Sequence, residues 1–300
     1  MGKASRIKQQ SAREKIAAQR EAARKTERRN RIMITGGSTI IVLVIVLAFI
    51  VVKLTQGSAS AGGGDNSVTG SLLPASVASQ VTGVPAATLD KVGKGAVPAF
   101  TQGQPALTAG SGAALTSGGK PQMLYIGAEF CPYCAATRWS MAIALSRFGT
   151  LSPLHGIHSS STDTDPNTAT LTFYKTGYTS KYLDFTPVEV QTVSRGPLQN
   201  PTSAQNAVWA KYEPDPNTRG YPFIAFGNKL VLKGPIFDAA VLQGKSWSQI
   251  AADLHDPTSP VAQSVLGAAN YITGAICKMT NNQPSDVCTS PAVTAVQSGL

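Results

Sequence analysis

Apolar positions along the chain fall into one long unbroken run and many short, punctuated ones. Residues 32–52 are twenty-one positions without a charge, continuously apolar from residue 40 to 52 apart from the small Ala48. A helix of that length covers roughly 30 Å at about 1.5 Å per residue, the thickness of a hydrocarbon core. The pattern therefore predicts a transmembrane helix over residues 32–54. Residues 55–73 follow, rich in Gly, Ser and Ala and including Gly62-Gly63-Gly64, and they read as a flexible linker with a coil reach of about 20 Å. Residues 74–93 predict one or two short helices broken at Pro85, and residues 98–119 predict turns with a possible hairpin. Together, residues 74–120 are expected to form an N-terminal extension packed on the domain.

From residue 121 the periodicity is that of a mixed α/β domain, expected to run to residue 290 with a tail over 291–300. Residues 123–128 read as a buried strand. Residues 135–148 read as a helix ended by Gly149, and residues 154–157 as the next strand. Residues 159–220 look like an insertion with strands at 170–174 and 188–193 and a helix near 202–212. The run Tyr221-Pro222-Phe223-Ile224-Ala225-Phe226 is separated from Leu230-Val231-Leu232 by a Gly227-Asn228 turn signal, which predicts a hairpin. Ser246 with Gln249 three residues later forms a capping box for a following helix. Ser259 and Pro260 open another, whose apolar face would be Val261, Val265, Leu266, Ile272 and Ile276.

Charge refines the membrane reading. The net charge of +10 is concentrated in residues 1–31, where eleven Lys/Arg stand against Glu14, Glu21 and Glu27. A basic tail before an apolar span places the N-terminus in the cytoplasm and the domain outside the cell membrane. The length of the tail and of the span favours an uncleaved single-pass anchor over a signal peptide cleaved near Ser58-Ala59-Ser60-Ala61. The tail lacks interleaved aromatics and any folded motif for nucleic acid, so its expected partner is the membrane surface.

The candidate chemistry lies in the cysteines. Cys131 and Cys134 stand at the start of a predicted helix directly after a predicted strand, where unpaired backbone N–H groups favour a thiolate. The second sulfur, one turn further in, could close or resolve a disulfide. The same spacing serves zinc, but His155, His158 and His255 supply no partner pair at useful spacing and there is no second CxxC, so no metal or other cofactor is expected. Cys277 and Cys288 read as a structural disulfide, with a second redox pair as the alternative; an even cysteine count suits an extracytoplasmic domain.

The segment Ala128-Glu129-Phe130-Cys131-Pro132-Tyr133-Cys134 resembles the active-site segment of thioredoxin-fold proteins, with the Pro-Tyr dipeptide found in glutaredoxins. The insertion before the X-Pro strand is similar to that of elaborated DsbA-like oxidoreductases. The layout of tail, span, linker and Tyr125-Ile126-Gly127-Ala128-Glu129-Phe130-Cys131 resembles a family of prokaryotic membrane-anchored thioredoxin-like proteins grouped as a domain of unknown function. This resemblance implies a thioredoxin-like fold with an insertion before a cis-Pro strand. It makes Cys131 the nucleophile, Cys134 the resolving thiol and Pro222 the cis proline, with Tyr221, Pro132 and Tyr133 against the substrate. A trans Pro222 on an edge strand is the plainer alternative. Tyr125 stands where thioredoxins keep a buried carboxylate, and Glu129 is expected at the surface. The implied function is a membrane-tethered thiol–disulfide oxidoreductase acting on cysteines of exported proteins. The Pro-Tyr dipeptide does not fix its direction; the extracytoplasmic side argues for oxidase or isomerase, and a reductase fed by a membrane redox partner is the alternative. The alternative is a tethered binding or chaperone-like module without redox turnover, using Tyr174, Tyr178, Tyr182 and Trp209 as a surface.

Overall fold

The computed structural model describes residues 70–297 and 300. The expected basic tail, the apolar span and residues 55–69 of the linker lie outside the described residues. Among the described residues no helix is long and apolar enough to cross a membrane.

Strand β1 (Ser71–Leu72) is followed by three short helices, α1 (Ala75–Thr82), α2 (Ala86–Val92) and α3 (Val97–Phe100). Their buried residues Val77, Val81, Leu89, Val92 and Val97 belong to the main core. Strands β2 (Thr108–Ala109) and β3 (Thr116–Ser117) lead into β4 (Lys120–Gly127), and helix α4 (Pro132–Ser146) follows. Next come β5 (Thr150–Ser152), β6 (His155–His158), β7 (Ala169–Thr172), β8 (Gly177–Thr179) and β9 (Asp184–Glu189). The chain continues through α5 (Ser203–Tyr212), β10 (Phe223–Phe226), β11 (Leu230–Lys233), α6 (Trp247–Asp253) and α7 (Pro260–Met279), then α8 (Ser285–Cys288) and α9 (Pro291–Gln297). Residues 291–297, read from sequence as part of a tail, thus form a helix that buries Ala292, Val293 and Val296.

The protein is a mixed α/β molecule whose six-stranded central sheet runs β2-β11-β10-β4, with both the two-residue β3 and the longer β9 pairing β4 on its far side. Strand β4 pairs parallel with β9 from Gln122↔Asp184 to Gly127↔Glu189, and antiparallel with β10 from Met123↔Phe226 to Ile126↔Phe223. The β10–β11 hairpin turns where expected: Gly227 and Asn228 both take φ near 59°, and Lys229 N–H donates to the Phe226 carbonyl at 2.9 Å. Side chains alternate strictly across this sheet. Met123, Tyr125, Ile224, Phe226 and Leu232 face the main core with Trp139 of α4 and Val265 and Ile272 of α7. Leu124, Ile126, Phe223, Ala225 and Val231 face the opposite way, under Trp209 of α5. Both expected caps form, Ser246 accepting from Gln249 N–H and Ser259 from Ala262 N–H.

One strand pairing differs from what the sequence order suggests. The parallel neighbour of β4 is β9, not the strand at 155–158, which joins a separate small sheet with β1 and β7. The small strands β5 to β8 therefore lie in the chain between α4 and the parallel partner of β4. The reason is visible in β9, where Pro187 and the polar Asp184 and Thr186 disguise a strand. Outermost in its sheet, β9 tolerates a proline that an inner strand would not.

Candidate active site at Cys131 and Cys134

Strand β4 runs out at Gly127, where a Cβ would collide with the Tyr125 hydroxyl. The chain then turns, with Cys131 N–H donating to the Ala128 carbonyl at 3.2 Å. Cys131 has extended backbone (φ −73°, ψ 122°) and caps α4, while Pro132 occupies its first turn at no hydrogen-bonding cost. The Cys131 Sγ accepts the Cys134 backbone N–H at 3.2 Å. Cys134 lies one turn inside the helix and is fully buried, and both thiols are free.

Environment separates the two sulfurs. The Cys131 thiol is acidified, first by a hydrogen bond from the Cys134 thiol and further by the N–H groups of Cys134 and Tyr133 and the Arg138 charge, against the opposing pull of burial. Burial pushes the Cys134 thiol well up, and its hydrogen bond to Cys131 adds to this. One sulfur is thus primed to be a thiolate and the other to keep its proton.

The Tyr221–Pro222 peptide bond is cis. The Tyr221 carbonyl lies 3.9 Å from Cys131 Sγ and accepts its thiol. The Tyr221 ring meets Phe130 edge-on at 6.3 Å between centroids and lies tilted against Trp209 at 5.6 Å. Pro132 is buried, whereas Tyr133 is exposed. Cys131, Cys134 and Tyr221 therefore meet around one sulfur, with Pro132, Tyr133 and Pro222 adjoining them in the chain. Of the four aromatics read as an alternative surface, Trp209 is buried, and Tyr178 and Tyr182 pack against the main core.

Beneath the cysteines lies a polar cluster that the motif does not announce. Arg138 of α4 and Glu189 of β9 are both fully buried and paired through two bonds of 2.8 Å, from Nε to Oε1 and from Nη2 to Oε2. The same Nη2 donates to the Ala128 carbonyl at 2.7 Å, tying the pair to the turn before Cys131. Glu129 corrects the sequence expectation. It is 2% exposed rather than at the surface, and it accepts the Thr172 hydroxyl at 2.7 Å. Burial raises its carboxyl, opposed by the Thr172 bond and the Arg138 charge. Tyr125 is also wholly buried, and desolvation holds its hydroxyl well above the usual range. The available sequence signal was a lone charge inside each apolar run: Arg138 within Ala135–Leu145, and Glu189 between Val188 and Val190.

Cys277 and Cys288 are bonded to each other, with Cα atoms 5.6 Å apart, at the end of α7 and in α8. Among the described residues, no three His, Cys, Asp or Glu side chains group as metal ligands.

No curated protein and no solved structure matches this chain. A family model, described as Domain of unknown function (DUF929), matches residues 108–278. That stretch spans the central sheet, the Cys131–Cys134 turn and the helices that pack on it, more than half of the 300 residues, and the chain belongs to the DUF929 family.

Proposed function

We propose that the protein is a thiol–disulfide oxidoreductase with a thioredoxin-like fold, working through Cys131 and Cys134. The observation that carries this reading is the Cys131 sulfur itself: it caps a helix, accepts the Cys134 N–H, and faces the carbonyl that precedes a cis proline. The connectivity supports it, since β4–α4–β9 is a parallel crossover and β10–β11 a closing hairpin beside the same strand.

In the reducing direction, the Cys131 thiolate attacks a substrate disulfide. A Cys131–substrate S–S bond forms as the substrate S–S bond breaks, and one substrate thiolate leaves. Cys134 then loses its proton and attacks the Cys131 sulfur, expelling the second thiolate. Two electrons pass from the cysteine pair to the substrate. In the oxidising direction the Cys131–Cys134 disulfide accepts the same two electrons from a substrate dithiol. The Tyr221 carbonyl offers an acceptor to the backbone of an incoming extended segment, and Pro132 and Tyr133 adjoin it.

The basic tail and apolar span support a single-pass anchor with the N-terminus cytoplasmic. The closed Cys277–Cys288 bond suits an oxidising compartment, so the substrates are cysteines of exported proteins and recharging falls to a membrane redox partner. Cys134→Ala tests the reading, because the mixed disulfide on Cys131 then has no resolving thiol. The expected result is covalent complexes in cells that dithiothreitol releases and that Cys131→Ala abolishes. A folded Cys134→Ala protein that traps nothing, with Cys131→Ala retaining full biological function, would favour the binding module instead.

A further inference from the structure

Cys131 is only 5% exposed and Phe130 9%, and both pack with Ala128, Cys134, Val190 and Tyr221 in one cluster. A nucleophile for protein cysteines needs an approach, and two loops are bonded to the residues just before Cys131. Ser160, at the start of the loop leading to β7, donates its N–H to the Phe130 carbonyl at 2.9 Å. From the loop after β9, the Gln191 carbonyl accepts the Glu129 N–H at 2.9 Å. Asp163 and Arg195 join the two loops through a bond of 2.5 Å, and the Arg195 guanidinium lies 3.9 Å from the centre of the Phe130 ring.

Arg195 holds that position at a cost. Its φ is +64°, in the left-handed region that a residue with a long side chain rarely adopts, within a tight turn where Arg195 N–H donates to Thr192 and Thr192 N–H to Gly196. Gly196, the residue beside it, carries the glycine that such a turn would ordinarily use. The chain instead puts arginine at the strained position, and the side chain thereby reaches Phe130 and Asp163. Both contacts are at the surface, with the Arg195 side chain 49% and the Asp163 side chain 25% exposed, so they are weak enough to break and re-form.

We propose that Arg195 and Asp163 form a latch that holds Phe130 against Cys131, so that the sulfur meets a protein partner only when the latch opens. The inference deepens the oxidoreductase reading and rests on it for its purpose, but the accessibility of Cys131 can be measured on its own.

The test is the labelling rate of Cys131 in the reduced full-length protein, with iodoacetamide and with a bulky maleimide, read by mass spectrometry of the peptide holding both cysteines. Rates are normalised to the thiolate fraction of each variant, measured by ultraviolet absorbance. Arg195→Gly, which removes the latch and relieves the strained φ together, should accelerate maleimide labelling by about five- to thirtyfold, and Asp163→Asn by about two- to fivefold. Iodoacetamide, being small, should gain less than the maleimide. Normalised rates for Arg195→Gly within about twofold of the parent for both reagents would overturn the latch, as would an increase fully explained by a changed thiolate fraction. Faster labelling of Arg195→Gly with no exchange against a test disulfide would sink the oxidoreductase reading and leave the latch standing.

Discussion

Arg138→Met breaks the most heavily buried ionic contact near the site and isolates two effects. The parent pair is fully buried on both sides and joined by two bonds of 2.8 Å, with a third from Arg138 to the Ala128 carbonyl. Removing the arginine leaves the Glu189 carboxylate without its cation in a dry interior, which costs about 3–5 kcal/mol. For a domain of this size that is a fall in Tm of about 6–20 °C, at about 2–4 °C per kcal/mol. The double variant Arg138→Met/Glu189→Leu removes both charges and should recover most of this loss, because well-packed apolar replacements of buried ion pairs are often neutral or better. Urea denaturation of the parent, both single variants and the double closes the cycle, and the interaction term should be about 2 kcal/mol or more. The double variant also removes the Arg138 charge that helps acidify Cys131, so its Cys131 thiol should titrate higher than the parent's. An Arg138→Met cost below about 1 kcal/mol, no larger than an exposed pair gives, would refute the picture of a desolvated pair.

Cys277→Ala with Cys288→Ala should lower stability by about 3 kcal/mol in the chain-entropy model for a loop this short, measured by denaturant midpoint, while leaving disulfide exchange at Cys131 intact; loss of exchange in a folded variant would make this pair a redox partner. Glu129 has a raised carboxyl in the folded state, so the folded form binds the extra proton. Its contribution is fully present below the ordinary carboxylate range and is lost as pH rises through the folded value. Stability profiles from about pH 4 to about pH 7 should therefore slope less steeply downward in Glu129→Gln than in the parent, and identical profiles would contradict the buried assignment. Ser246→Ala removes the cap that accepts Gln249 N–H and should cost about 1 kcal/mol by the same denaturation assay.

Elements with local signatures were legible in the sequence. The Gly227-Asn228 turn, the Ser246 capping box and the Ser259-Pro260 helix start each carry their instruction within a few residues. The CxxC likewise announced a helix N-terminus, and Cys131 caps it. The sequence pattern places this strand at 188–193, later than β9 at Asp184–Glu189, because Asp184, Thr186 and Pro187 read locally as a loop and what makes them a strand is long-range pairing with β4. The Glu129 error has the same origin. Two residues before the motif, local geometry favours solvent, but β7 covers the position with Thr172 from 43 residues away. The Arg138–Glu189 pair could be noticed as two lone charges in apolar runs, yet their partnership across 51 residues was not encoded locally.

The most direct measurement is the thiolate absorbance titration of Cys131 in the reduced protein, with Cys131→Ala as the blank. The account predicts an ionisation clearly below that of an ordinary thiol, about 8.5, together with exchange against a test disulfide. A value at or above that of a free thiol, with no exchange, would contradict it.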